Sequence, residues 1–117
     1  MNAYEIPNLR FSLPAGGAVA RCRFVSVNSD SKGIQATAAT QVIGASMNLI
    51  TAEEIAAGDR IVEIADGIVM VEAAGAITAG TAVYSDATGK ATGTGTVVAG
   101  IAITGATAAG QLVAVRI

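Results

Sequence analysis

The chain has 117 residues; 52% are hydrophobic, 14% charged and only 3% aromatic, with a formal net charge of −2 and no His or Trp. That length allows one compact core and leaves little room for a second. Without His the chain lacks the commonest general base, proton shuttle and neutral metal ligand, and its weakly negative charge argues against a dedicated nucleic-acid-binding surface.

The hydrophobic content comes mainly from Ala, Val and Ile rather than Leu, which favours strands over helices. Residues 1–13 differ from everything after them. Pro7 and Pro14 break regular structure, and Tyr4, Ile6, Leu9, Phe11 and Leu13 are scattered among polar residues. This pattern predicts an extended N-terminal arm that docks on another subunit or a partner, ahead of one β-rich domain over residues 14–117. The same stretch has an acid and a proline where a signal peptide needs a basic start and an apolar run, so no secretory leader is expected. Arg10, Arg21 and Arg23 against Glu5 give this end a basic surplus. It is opposed by acids in the middle of the chain, a pattern suited to charge complementarity between chains. The single Cys, Cys22, cannot form an internal disulfide and reads as a small buried apolar residue.

Strand-prone runs follow at residues 19–27, 60–65, 68–72, 81–84, 97–103 and 111–117, several opened by an Ala-Gly step whose glycine supplies a turn. Asp66-Gly67 between Ile64 and Ile68 carries the signal of a two-residue hairpin. One helix is expected, over residues 52–57, where Thr51 and Glu54 have capping-box spacing and Gly58 stands at the stop position. Residues 91–115 carry no charge and are long enough to cross a bilayer, yet their alternating Gly and Thr make insertion as a helix unfavourable. Such an uncharged stretch belongs to a core or to an interface between chains, with Val97, Val98, Ile101 and Ile103 the candidate interface residues.

The chain also resembles itself. Residues 29–33 are similar to residues 85–90 and residues 41–45 to residues 97–101, both at an offset of 56, while residues 57–64 loosely match residues 109–117 at a slightly shorter one. Each half then reads as polar turn, strand, connection, Ala-Gly turn and strand.

Candidate chemistry is sparse. Glu53, Glu54, Asp59, Glu63, Asp66 and Glu72 crowd the middle of the chain around Arg60, but a solvated face explains them better than a carboxylate pair, because no aromatic platform accompanies them. Asp30 and Asp86 sit in short polar loops without the ligand spacing of a calcium site. The run Thr92-Gly93-Thr94-Gly95-Thr96 lacks the Gly-Lys-Ser/Thr ending of a phosphate loop. Ser-His-Asp and Cys-His mechanisms are impossible without His. No catalytic residue, metal site or cofactor is expected, and no enzyme activity.

The segment Gly80-Thr81-Ala82-Val83-Tyr84-Ser85-Asp86, then Val98-Ala99-Gly100-Ile101-Ala102 and the closing Val113-Ala114-Val115-Arg116-Ile117 resembles the capsid cement or head decoration proteins of tailed bacteriophages. The likeness covers the last forty or so residues well and residues 14–72 only in general layout. It implies a mainly β domain, a β-tulip or other small barrel-like or sandwich fold with one short helix. It also implies a homotrimer on the outer surface of the virion capsid, made in the host cytoplasm, that bridges neighbouring major capsid proteins without nucleic acid or membrane. In such a role the arm residues Tyr4, Ile6, Leu9, Arg10, Phe11 and Leu13 contact the capsid. A small β-domain binding carbohydrate at a host surface is the rival reading; it requires exposed aromatic platforms, and only Tyr4 and Tyr84 are available.

Overall fold

The computed structural model describes residues 6–46 and 61–117. These form nine strands and no helix: β1 (Ile6–Pro14), β2 (Phe24–Val27), β3 (Gly33–Gln35), β4 (Gly44–Ser46), β5 (Ile61–Glu72), β6 (Ala82–Ser85), β7 (Ala91–Thr92), β8 (Val98–Ala102) and β9 (Leu112–Arg116). The expected helix at residues 52–57 lies outside the described residues. All strand pairs are antiparallel and belong to one curled, half-barrel sheet of order β3-β2-β4-β5-β9-β8-β6-β7, with β1 added to β5.

The tandem repeat is visible in the hydrogen bonds, with a different register from the one the letters suggest. Asn28 and Asp86, 58 residues apart, play the same part. The Asn28 side-chain oxygen accepts from the amides of Asp30 and Lys32, both at 3.0 Å, and that of Asp86 from Thr88 and Lys90 at 2.8 and 2.9 Å. The backbone follows suit: Asn28 N–H donates to Lys32 C=O and Asp86 N–H to Lys90 C=O. Ser31 and Gly89 hold the matching left-handed positions at φ 61° and 80°. Matching Ser29-Asp30 to Ser85-Asp86, as sequence similarity suggests, is therefore two residues out, because an amide and a carboxylate of one shape serve the same Asx turn. Parallel bridges Ala15 to Gly33 and Ala73 to Ala91 repeat at the same offset of 58. The expected offset of 56 does hold at β4 and β8, where Gly44 faces Val25 and Gly100 faces Val83. Ala45 and Ile101 then pair with Ala65 and Arg116, so the final strands match at 51.

Each repeat is thus a five-stranded unit of one order: β3-β2-β4-β5-β1 in the first and β7-β6-β8-β9-β5 in the second. Strand β5 serves both. Its first half closes the first repeat, with Ile64 opposite Phe11, and its second half opens the second, with Val69 opposite Val115. Asp66-Gly67 therefore marks no hairpin; β5 runs straight through it. Only Gly67 has positive φ, at 93°, whereas a type I′ turn needs two such residues. The glycine instead bends the strand between repeats, and its carbonyl accepts from Ile117 N–H at 2.9 Å.

The buried side chains follow the repeat. Val19, Val25, Val62 and Ile64 form one cluster, flanked by half-buried Phe11, Leu13 and Ile43. The equivalent residues of the second repeat, Ile77, Val83, Val113 and Val115, with Val69, Val71 and Ala99, lie in a second cluster. That second cluster also holds Phe24, Val42, Ala45 and Ala65 from the other face of the first repeat. The cluster therefore joins the two repeats across the shared strand β5 of one curled sheet. Gly44 and Gly100 answer a steric demand, the close approach of β4 to its paired strand β5 and of β8 to β9. A Cβ on Gly44 would stand 2.6 Å from the Ala65 carbonyl oxygen, and one on Gly100 would strike that of Arg116.

Gly44→Ala and Gly100→Ala are each expected to lower unfolding stability by about 1–3 kcal/mol through overpacking against backbone. Gly75→Ala, where nothing lies within 4 Å of the added carbon, should change it by no more than about 0.5 kcal/mol. Urea unfolding of the three variants checks the contrast.

Candidate functional site

The side chains that stand out at the surface are apolar. Leu9 is 54% exposed on β1, and Val98, Ile101 and Ile103 are 52%, 51% and 46% exposed on and just beyond β8. Strict alternation would send Val98 and Ile101 to opposite faces. A register shift opposite Val83 and Tyr84 inserts Ala99 as an extra residue, so that Val98, Ile101 and Ile103 all face outward while Ala99 and Ala102 are buried. Three of the four residues expected at a subunit interface thus gather on one exposed strip; Val97 is half-buried beside it.

The arm residues divide. Tyr4 lies outside the described residues. Ile6 stands opposite Ile68 at the start of β1, and Phe11 and Leu13 pack half-buried against the first-repeat cluster. Arg10 is exposed and lies 3.8 Å from the Glu63 carboxylate. Rather than reaching only outward, residues 6–14 pair with β5 of their own chain, and β1 carries no other strand among those described. Leu9 is raised by a second irregularity, between Pro7 and Arg10, where its N–H donates to the Asp66 carboxylate at 2.9 Å. A shallow hollow of ≈ 260 Å³ beside it is lined by Arg10, Phe11, Ser12 and Glu63.

The central acids do not converge. Glu53, Glu54 and Asp59 lie outside the described residues, while Glu63, Asp66 and Glu72 each serve a different local contact. No cluster of three possible metal ligands occurs among the described residues. Glu72 sits where the repeats meet: one oxygen is 3.5 Å from Arg23 of the first repeat, the other 3.2 Å from Lys90 of the second. Arg23 also donates to Thr88 C=O at 3.2 Å, and Phe24 N–H to Gly89 C=O at 2.8 Å, so the Asx turn of the second repeat is tied to the start of β2. Arg23 Nε is buried with no hydrogen-bond partner among the described residues. Sequence reasoning missed this contact because Glu72 meets partners 49 residues before it and 18 after it in the chain.

Gly95 of the Gly-Thr run packs on Tyr84; an added Cβ would stand 2.7 Å from the tyrosine Cβ. That packing accounts for the glycine, and half-buried Tyr84 offers no open aromatic platform. No helix among the described residues is long and apolar enough to cross a membrane, and residues 91–115 contain β7, β8 and most of β9.

The described residues thus present a curled antiparallel sheet with exposed apolar side chains on β1 and β8. The chain belongs to the phage cement protein family, whose model matches residues 5–117. It is accordingly a structural component of the phage virion, carried on the outer surface of the capsid. Its fold is similar to that of the N base of head fibre gp8.5 of bacteriophage phi29, with TM-score 0.67 and 21% identity over 93% of this chain and 92% of that one. No curated protein matches the chain significantly.

Glu72→Gln should lower stability by about 1 kcal/mol at low salt, and the loss should shrink in about 1 M salt as the pairs to Arg23 and Lys90 are screened. Denaturant titrations of both proteins at two ionic strengths read this directly.

Proposed function

We propose that the chain decorates the mature phage head as a homotrimer and stabilises it by bridging neighbouring major capsid proteins, doing no chemistry. The observation that carries this reading is the family membership together with the exposed apolar side chains of Leu9, Val98, Ile101 and Ile103. On this reading Val98, Ile101 and Ile103, with Val97, form the contact between subunits. The arm, through Tyr4, Ile6, Leu9, Arg10, Phe11 and Leu13, contacts the capsid, and the outer edge of β1 is the natural place for a capsid strand to add. Several such attachments on one oligomer convert weak single contacts into tight holding.

Co-sedimentation with capsids lacking the protein tests this. Wild-type chain should pellet with capsids to a saturable stoichiometry, and Leu9→Asp should weaken that binding at least about tenfold. Removing residues 1–13 is the wrong probe, because it deletes most of β1 and with it the pairing to β5. A wild-type chain that stays in the supernatant at all capsid concentrations contradicts the reading.

A further inference from the structure

Strand β1 has one flank on β5, and the phase of its backbone decides what the other flank can offer. Ser46 N–H donates to Arg23 C=O just before β2, so its neighbour Ala45 sends its backbone groups the opposite way, to Ala65 of β5. Ala65 thus bonds towards β4, while Ile64 and Val62 bond towards β1, where Phe11 and Leu13 stand opposite them. Arg10, Ser12 and Pro14 therefore turn their backbone groups away from β5. Gly16, next in the same phase, donates on that outer flank, to Gly33 C=O of β3 at 2.9 Å. On the far side of the irregularity in β1, Gly67 C=O accepts from Ile117, so Ile68 bonds towards Ile6 and Pro7 again faces outward.

The chain has only two prolines, and both fall at outward positions of this strand. A proline lacks the donor that an added strand needs, and so blunts the edge at each end. Between them the amides of Arg10 and Ser12 meet no partner among the described residues, and their carbonyls face the same way. Two donors and two acceptors in this alternation are what a single added strand exchanges. The hollow of ≈ 260 Å³ lined by Arg10, Phe11, Ser12 and Glu63 lies at this same window. Edge recognition takes affinity from such backbone groups and specificity from a pocket for a side chain of the incoming strand.

We propose that an extended segment of the major capsid protein adds to β1 in one register only: it exchanges backbone hydrogen bonds with Arg10 and Ser12 and places one side chain in the hollow beside Arg10 and Glu63. This rests on the reading that the arm attaches to the capsid, and it adds the register, because Pro7 and Pro14 stop the edge on either side. The backbone of Arg10 and Ser12 then does the binding, while Phe11 and Leu13 hold β1 on its own β5.

Ser12→Pro tests this, since it removes one outward N–H and sets a proline in the phase that Pro7 and Pro14 already occupy; a thermal melt checks that it folds. In co-sedimentation it should bind capsids at least about tenfold more weakly than Ser12→Ala, which keeps the amide. Hydrogen exchange resolved to single amides needs no substitution. In the free chain Phe11 and Leu13 should exchange slowly and Arg10 and Ser12 fast, and capsid binding should slow Arg10 and Ser12 at least about tenfold. If the wild type pellets but Ser12→Pro binds as tightly as Ser12→Ala, or Arg10 and Ser12 exchange at an unchanged rate, strand addition is overturned and the capsid reading stands. Slow exchange at both amides in the free chain means that the window is already filled, and overturns it as well. A wild type that stays in the supernatant removes both.

Discussion

Everything in this fold hangs on β5 being one strand shared by two repeats. Ala65 faces Arg10 of β1 on one flank and Ala45 of β4 on the other, and Ile68 faces Ile6 of β1 and Arg116 of β9. Strand β1 therefore follows one side of β5 while β4 and then β9 occupy the other. A residue's backbone groups bond towards one flank and its neighbours' towards the opposite one, so a long central strand is the only way to serve three partners in turn. Cutting β5 would leave the first repeat without its closing strand and the second without its opening one. The bend at Gly67 then sets how the second repeat lies on the first, and so which faces are covered and which remain at the surface.

The unusual composition is reflected in the core. The cluster that spans the two repeats is rich in small side chains, with Ala36, Ala45 and Ala65 from the first repeat and Phe24 as its one aromatic residue. Inside each repeat, Val and Ile fill the curve of the sheet, where β-branched side chains pack well on a pleated surface. Burying a Val or Ile contributes about 1.5–3 kcal/mol relative to exposure, so clusters of this size hold the fold with few aromatic residues, Phe24 being the one that is fully buried among those described. Of the few charged groups, Glu72, Arg23 and Lys90 join the repeats.

Much of this was legible in the sequence, and the failures have physical causes. Composition and spaced turns gave the β class, and the Gly44 and Gly100 correspondence fell at the expected offset because both glycines answer one steric demand. The polar turns were matched two residues out, since Asn28 and Asp86 are alike in hydrogen-bonding shape but not in letter. Asp66-Gly67 has hairpin composition, yet partners on both flanks of β5 keep the chain extended there. The arm read as extended because β1 is extended; its pairing with residues some 50 positions away leaves no local trace. The interface candidates were found from lack of charge alone. Their common orientation depends on the irregularity at Ala99, which alternation cannot reveal.

As a phage cement protein the chain is a component of the outer surface of the virion capsid. The most direct measurement is the temperature at which DNA-filled heads lacking the protein release their DNA, followed as purified chain is added back. The account predicts a rise that saturates when the binding sites are full. Heads that bind the chain to saturation and still release DNA at the unchanged temperature would contradict it.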